Sequence, residues 1–285
     1  MEQEKIMQQK RHKKIPVGQI ILHMVLVILL FIMLYPLAMA LWNAFKTDLS
    51  YEYTRWYPTL PLRIRNVKTA FDMTSQYMLN TVIVGIAGTA GLLFISSIAS
   101  FAFAKMKFPG RGFFFSMVMA LMMVPGVLTL VPSYILYKTL GLHDNLMALI
   151  LPIWTGGCIF AVFLLTTFFG GLPRDLFEAA QIDGANPWQA LVRIKLPMVM
   201  SSVTICLFLS LTNSFKLFDQ NLSLTGGEPN HASEMLALNI YNTFYTRSGP
   251  QWKGIGQAKA VIFFVLVVAI ALVQLRATRS REVQQ

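Results

Sequence analysis

The 285 residues are 55% hydrophobic and only 13% charged, with a mean hydropathy of +0.56 and a net charge of +11. A soluble domain carries about a quarter charged residues, so the expected solvent here is a bilayer. The Lys and Arg excess sits at loop ends and termini, not on a helical face interleaved with stacking aromatics, which argues against a nucleic-acid partner; Cys158 and Cys206 lie in apolar stretches without a CxxC pair and read as small hydrophobes.

Along the chain, 1–16 is a polar, basic tail, expected to be cytoplasmic, and 17–45 is an apolar run whose length predicts a first transmembrane helix. A signal peptide is the rival, given the basic start and Ala38-Met39-Ala40, but its apolar region would span only about 7–15 residues. A polar loop at 46–76, expected to be extracytoplasmic, leads into a core over 77–275 with apolar segments at 77–103, 113–134, 146–169, 198–217 and 257–275, followed by a tail at 276–285. Each segment approaches the roughly 20 helical residues that cross a hydrocarbon core. The fold class is therefore an all-α membrane protein with six transmembrane helices.

Six crossings put both termini on one side, and that side holds the dense basic clusters: Lys5, Lys10, Arg11, Lys13 and Lys14; Lys105, Lys107 and Arg111; Arg174, Arg193 and Lys195; Arg276, Arg279 and Arg281. The positive-inside rule makes it cytoplasmic. In the second crossing Gly85, Gly88 and Gly91 recur ahead of Ser96, Ser97, Ala99 and Ser100, a small-residue face for close helix packing, either within the chain or at a dimer interface. Lys259, near the start of the last crossing, is expected to snorkel toward the headgroups.

Motifs for enzyme chemistry are missing: there is no phosphate loop, GxSxG or HExxH, and His12, His23, His143 and His231 are scattered. No internal repeat is visible, and carboxylates are absent from the crossings, whereas ion-coupled carriers place ionisable groups along the ion path. The energy for transport must then come from elsewhere, or the solute moves passively; a secondary carrier or facilitator and a membrane scaffold are the rival classes.

The segment between the fourth and fifth crossings (170–197) reads as two short helices around a turn. Pro173 suits a helix start, Asp175 and Glu178 complement its dipole, Gly184 permits a left-handed turn, and Asn186-Pro187 suits the next start, with Asn as cap and Pro in the first turn. Within it, Glu178-Ala179-Ala180, three residues, Gly184, nine residues, Ile194, one residue and Leu196-Pro197 resemble the cytoplasmic EAA signature of bacterial ABC importer permeases, seven fixed letters at fixed spacing. Phe103 with Lys105, Lys107, Pro109 and Arg111, then Met123-Val124-Pro125-Gly126, Leu140-Gly141-Leu142 and Pro152, resemble one partner of the maltose and multiple-sugar permease pair. Phe215-Lys216-Leu217-Phe218-Asp219 and Leu224-Thr225-Gly226-Gly227-Glu228-Pro229 resemble the other.

The resemblance implies a type I importer fold in a bacterial inner membrane, a second homologous permease subunit, an extracytoplasmic solute-binding protein, a sugar substrate and an ABC ATPase dimer. ATP and Mg would be bound by that ATPase, and this chain would hold no cofactor or metal and have no catalytic residues. A coupling helix containing Glu178, Ala179, Ala180, Asp183, Gly184, Ile194, Leu196 and Pro197 would dock on the ATPase; import of another small polar solute is the alternative cargo reading. Sugar sites combine aromatic faces with hydroxyl and amide groups, and Ser210, Thr212, Asn213 and Phe215 in the fifth crossing are the candidates. The long segment after it, with a further helix expected at 232–245, is a candidate contact for the binding protein.

Overall fold

The computed structural model describes residues 17–143, 145–172, 184, 186, 189 and 196–279, and no strand occurs among them. The apolar run of the N-terminal part forms α1 (Val17–Ala44), and after it Thr47 caps the short α2 (Asp48–Thr54), its hydroxyl accepting from Ser50 N at 3.4 Å. Helix α3 (Arg65–Lys105) is the longest and packs against most of the others. The chain continues through α4 (Arg111–Leu121), α5 (Leu130–Thr139), α6 (Met147–Gly171), α7 (Met200–Phe215), α8 (Leu236–Tyr245) and α9 (Gln251–Arg279).

Four of these, α1, α3, α6 and α9, are each long and apolar enough to cross a membrane, and two bent pairs bring the number to six. The third crossing, expected as one run at 113–134, is broken: the axis turns through 95° between Leu121 and Gly126. Pro125 is the reason, since it disfavours helix at Val124 and itself sits in extended backbone at φ −62°, ψ 126°. The 11 residues of α4 cover about 16 Å, roughly half of a hydrocarbon core. A 45° bend likewise separates α7 from the turn Phe218–Thr225. Helices α3 and α9 begin at Arg65 and Gln251, earlier than the apolar runs at 77 and 257, because their first turns lie beyond the apolar stretch and carry charges that hydropathy cannot distinguish from loop.

The glycine stripe packs within the chain. A Cβ on Gly85 would lie 2.8 Å from the Phe215 ring, one on Gly88 2.4 Å from Ile153 and one on Gly91 2.2 Å from Trp154 Nε1. Trp154 uses the space to donate to Ala87 O at 3.1 Å, while Thr89 meets Ser210 at 3.2 Å and Ser100 donates to Val162 O at 3.0 Å. Bare backbone and short hydroxyls are what let helices approach where lipid supplies no hydrophobic drive between them.

At the end where α1 finishes and α3 and α9 begin, called distal below, Asn66 donates to Ala44 O at 3.1 Å and Lys46 O at 2.9 Å, tying α1 to α3. The Lys46 ammonium is buried and donates to the carbonyls of Thr54 and Tyr57 and to the Thr54 hydroxyl, and burial pulls it below the usual lysine range. Lys259 does not snorkel. It is fully buried and donates to Asn239 Oδ1 at 2.7 Å and Thr243 Oγ1 at 2.9 Å, because α8 lies across it. His23, on exposed α1, bonds its own helix at Gln19 O, 2.6 Å away.

Replacing Gly91 with Ala should displace the Trp154 ring, break its bond to α3 and cost about 1–3 kcal/mol, as overpacking does. Gly112→Ala, where nothing lies within 4 Å, should be neutral. Thermal unfolding of both variants in mild detergent checks the contrast.

Candidate functional site

A solute crossing a helical bundle needs a polar wall that backbone and side chains can offer without leaving groups unsatisfied in lipid. Pro152 supplies part of that wall by breaking α6: lacking an N–H, it is followed by a π turn at Ile153–Gly157 that widens the helix beside α3. A cavity of about 420 Å³ opens there, lined by Gly156 and Phe160 of α6, by Ser210, Asn213 and Ser214 of α7, and by Gln220 beyond the α7 bend. An adjoining cavity of about 460 Å³ shares Pro152, Gly156, Phe160 and Gln220 and reaches the break at Leu121 and Gly126. Among the described residues the wall of the first carries no Asp, Glu, Lys or Arg.

Of the four expected path residues, Ser210 and Asn213 line the cavity; Thr212 is half-buried and outside the wall, and Phe215 is buried against Gly85. The wall runs Ser210, Asn213 and Ser214 of α7 and then Leu217 just past its end, which continues the i, i+3, i+4, i+7 stripe of one helical face. That spacing selects Ser214 and leaves out Thr212 and Phe215. Gly156, Phe160 and Gln220 were not anticipated, since Gly156 belongs to the π turn of α6, Phe160 to the first turn after it and Gln220 to the bend after α7. Asn213 and Gln220 make no side-chain hydrogen bond among the described residues, so both amides are available to a solute, whereas Ser214 donates to Ser210 O at 2.8 Å.

In the segment before α7, Glu178, Ala179, Ala180, Asp183 and Ile194 lie outside the described residues. Gly184 is exposed with φ +78°, the left-handed turn expected of it. Asn186 Oδ1 accepts from Gln189 N at 2.8 Å while Gln189 Oε1 accepts from Asn186 N at 3.0 Å, the reciprocal pattern of a capping box. Leu196 and Pro197 open the short helix Leu196–Met198 that leads into α7, and Lys105 at the end of α3 donates to Leu172 O at 2.9 Å.

The distal surface carries a second constellation. Helix α8 has no cap of its own at its start; instead Thr81 Oγ1 of α3 accepts from Leu236 N at 2.9 Å and Asn221 Oδ1 accepts from Met235 N at 2.8 Å. Asn80 Nδ2 donates to Ala232 O at 2.7 Å and Glu234 O at 3.0 Å. The loop so pinned turns through positive φ at Gly226, Gly227, Asn230 and His231, and exposes Glu228 to Ala232. Beneath it Glu234 is 1% exposed; its Oε1 accepts from Asn239 at 3.3 Å and Asn242 at 2.8 Å, and its Oε2 lies 2.7 Å from His231 Nδ1. Through Asn239 this carboxylate is linked to Lys259, so one buried anion and one buried cation share a single polar cluster.

No group of three or more His, Cys, Asp or Glu suited to a metal occurs among the described residues. The chain belongs to the family described as binding-protein-dependent transport system inner membrane component, whose sequence profile matches residues 91–281. With its long apolar helices, that makes it a multi-pass membrane protein. It is 42% identical over 125 residues to the "Probable starch degradation products transport system permease protein" of Thermoanaerobacterium thermosulfurigenes, covering 44% of this chain and 42% of that one. It is 30% identical over 200 residues to the diacetylchitobiose uptake system permease protein of Streptomyces coelicolor, covering 68% and 66% respectively. The matches thus span less than two thirds of either relative. Its fold is that of a chain in the crystal structure of a bacterial ABC transporter involved in the import of the acidic polysaccharide alginate, with a TM-score of 0.78 over 92% of this chain and 96% of that one at 16% identity.

Glu234→Gln should destabilise the bundle by about 3 kcal/mol, because it leaves the Lys259 charge buried with no anion in its cluster, whereas Lys259→Gln should cost less, since His231, Asn239 and Asn242 still face the carboxylate. The double variant should recover most of that loss. Melting temperatures of the three variants in detergent, treated as a double-mutant cycle, give the coupling.

Proposed function

We propose that the chain forms one half of the membrane pathway of an ATP-driven carbohydrate importer and is driven by an ATPase gripping its 170–197 segment. The cargo reading is carried by the cavity wall: two uncommitted amides, Asn213 and Gln220, face the same space as the Phe160 ring, which is 42% exposed. Amides and an aromatic face suit the hydroxyls and C–H faces of a sugar ring. The starch-product and diacetylchitobiose relatives and the alginate importer support the same cargo class. An uncharged wall gives a proton- or sodium-coupled carrier no ion path.

The drive is read from the EAA spacing. Glu178, Ala179, Ala180 and Asp183 precede the turn at Gly184, and Ile194, Leu196 and Pro197 connect the segment to α7. The capping box at Asn186 and Gln189 and the left-handed Gly184 support a stiff bracket, which is what converts a displacement of the ATPase, with its ATP and Mg, into rocking of the spans. In this reading the termini and the bracket are cytoplasmic and a second homologous permease subunit completes the cavity. The solute-binding protein docks on the distal face, where the loop held by Asn80 and Asn221 stands out.

Two experiments test this in the reconstituted importer. Gly184→Val should abolish cargo-stimulated ATP hydrolysis with the permease still assembled, while Gly184→Asn retains much of it, since Asn tolerates the left-handed region that costs other residues about 1–2 kcal/mol. Equal coupling in both variants refutes the bracket. Asn213→Ala and Gln220→Ala should each lower oligosaccharide uptake about tenfold, the loss of a hydrogen bond worth about 1.4 kcal/mol. Unchanged uptake would remove these residues from the path.

A further inference from the structure

The distal surface holds a polar pocket unrelated to the cavity, about 430 Å³ in volume, between α2, the end of α8 and the start of α9. Its depth in the membrane is marked by aromatics. Trp42 donates to Arg55 O at 3.2 Å, Tyr35 donates to Trp56 O at 2.6 Å, and the Arg247 guanidinium lies 4.4 Å from the Trp252 ring centre. Tyr and Trp with one apolar and one polar end collect at headgroup level. The crossings beside the pocket are the least covered of the four continuous ones: none of the apolar window of α1 is buried and only 17% of that of α9, against 33% and 39% for α3 and α6. A pocket at that level and on that flank borders lipid.

Its charges are uncommitted. Asp48 is paired with Arg63 at 2.9 Å, but the side chains of Glu52 and Arg55 make no hydrogen bond or ion pair among the described residues. Lys253 donates only to a carbonyl, Phe244 O at 3.2 Å, and has no carboxylate partner among the described residues. Two cations and the Glu52 carboxylate thus line one pocket with Arg55 and Glu52 unspent and Lys253 holding two donors in reserve, beside the Tyr51 hydroxyl. A phosphodiester answers Arg55 and Lys253. A primary ammonium answers Glu52.

We propose that this pocket binds the headgroup of an aminophospholipid, with the phosphate held by Arg55 and Lys253 and the ammonium by Glu52. The lipid joins α2 to the start of α9, so it acts as a staple between the first and last crossings at their distal ends.

The test uses the assembled, delipidated importer and native mass spectrometry, with dioleoyl phosphatidylethanolamine, phosphatidylcholine and phosphatidylglycerol added separately. Wild type should retain phosphatidylethanolamine at about tenfold lower concentration than phosphatidylcholine, whose methylated amine cannot donate. Glu52→Gln should erase that preference, and Arg55→Gln should weaken both lipids together. Soluble phosphoethanolamine at equal concentration should fail to compete, because it lacks the chains that hold the headgroup at this depth. The proposal is overturned if the ethanolamine and choline lipids bind alike, if phosphatidylglycerol binds best, or if soluble phosphoethanolamine displaces the lipid. It is overturned equally if the variants leave lipid retention unchanged and weaken capture of the solute-binding protein instead.

Discussion

The close contact of α3 with α6 is the constraint from which the rest of the bundle follows. A helix surface with side chains at 88 and 91 would hold Ile153 and Trp154 away by the width of a methyl group, and Trp154 could not reach Ala87 O. In lipid that distance has no hydrophobic compensation, since the alternative neighbour of each side chain is an equally apolar acyl chain. Gly88 and Gly91 therefore fix where the π turn of α6 sits, and the π turn in turn fixes Gly156 and Phe160 at the edge of the cavity. Phe215 enters the same contact through Gly85, which sets the rotation of α7 and points its Ser210, Asn213 and Ser214 stripe to the cavity.

At the distal end the organising force is polar satisfaction. Helix α8 lies over the bundle with its first amides capped by Thr81 and Asn221, so its placement depends on side chains distant in sequence rather than on its own cap. Burying Lys259 and Glu234 without partners would be prohibitive. Threading both into one cluster through Asn239, Asn242 and Thr243 makes that burial tolerable and welds α8 to α9. The loop from Gly226 to Ser233 inherits this rigidity at its base and projects only its tip.

Much of this was legible in the sequence where the signal was local. The apolar runs located the crossings, Gly184 and Asn186 announced their turn and cap, and the small-residue period announced close packing. What escaped depended on the third dimension. The snorkelling expected of Lys259 assumed a free path to the interface, which α8 occupies, and hydropathy merged the third crossing into one run because Pro125 interrupts the backbone without interrupting the apolar composition. On α7 the cavity wall follows the helical period from Ser210, which admits Ser214, whereas choosing polar and aromatic types near one end of the helix admits Thr212 and Phe215, which lie off that wall. Phe160 and Gln220 carried no signal of their own, since a π turn and a bend decide where they point.

The irregular backbone is not scattered. The break between Leu121 and Gly126, the π turn at Ile153–Gly157 and the π turn at Asn221–Thr225 all contribute walls to the two adjoining cavities, and the long regular stretches of α1 and α9 contribute none. Backbone that departs from the α ladder leaves amides and carbonyls to be satisfied, which in a bilayer is tolerable only beside protein or an aqueous cavity. A bundle that needed only to span the membrane would have no reason to gather three such departures on one flank. Their convergence beside Asn213 and Gln220 is what the proposed solute path requires, because the same interruptions that would expose polar groups to a passing solute also give the wall joints at which it can bend.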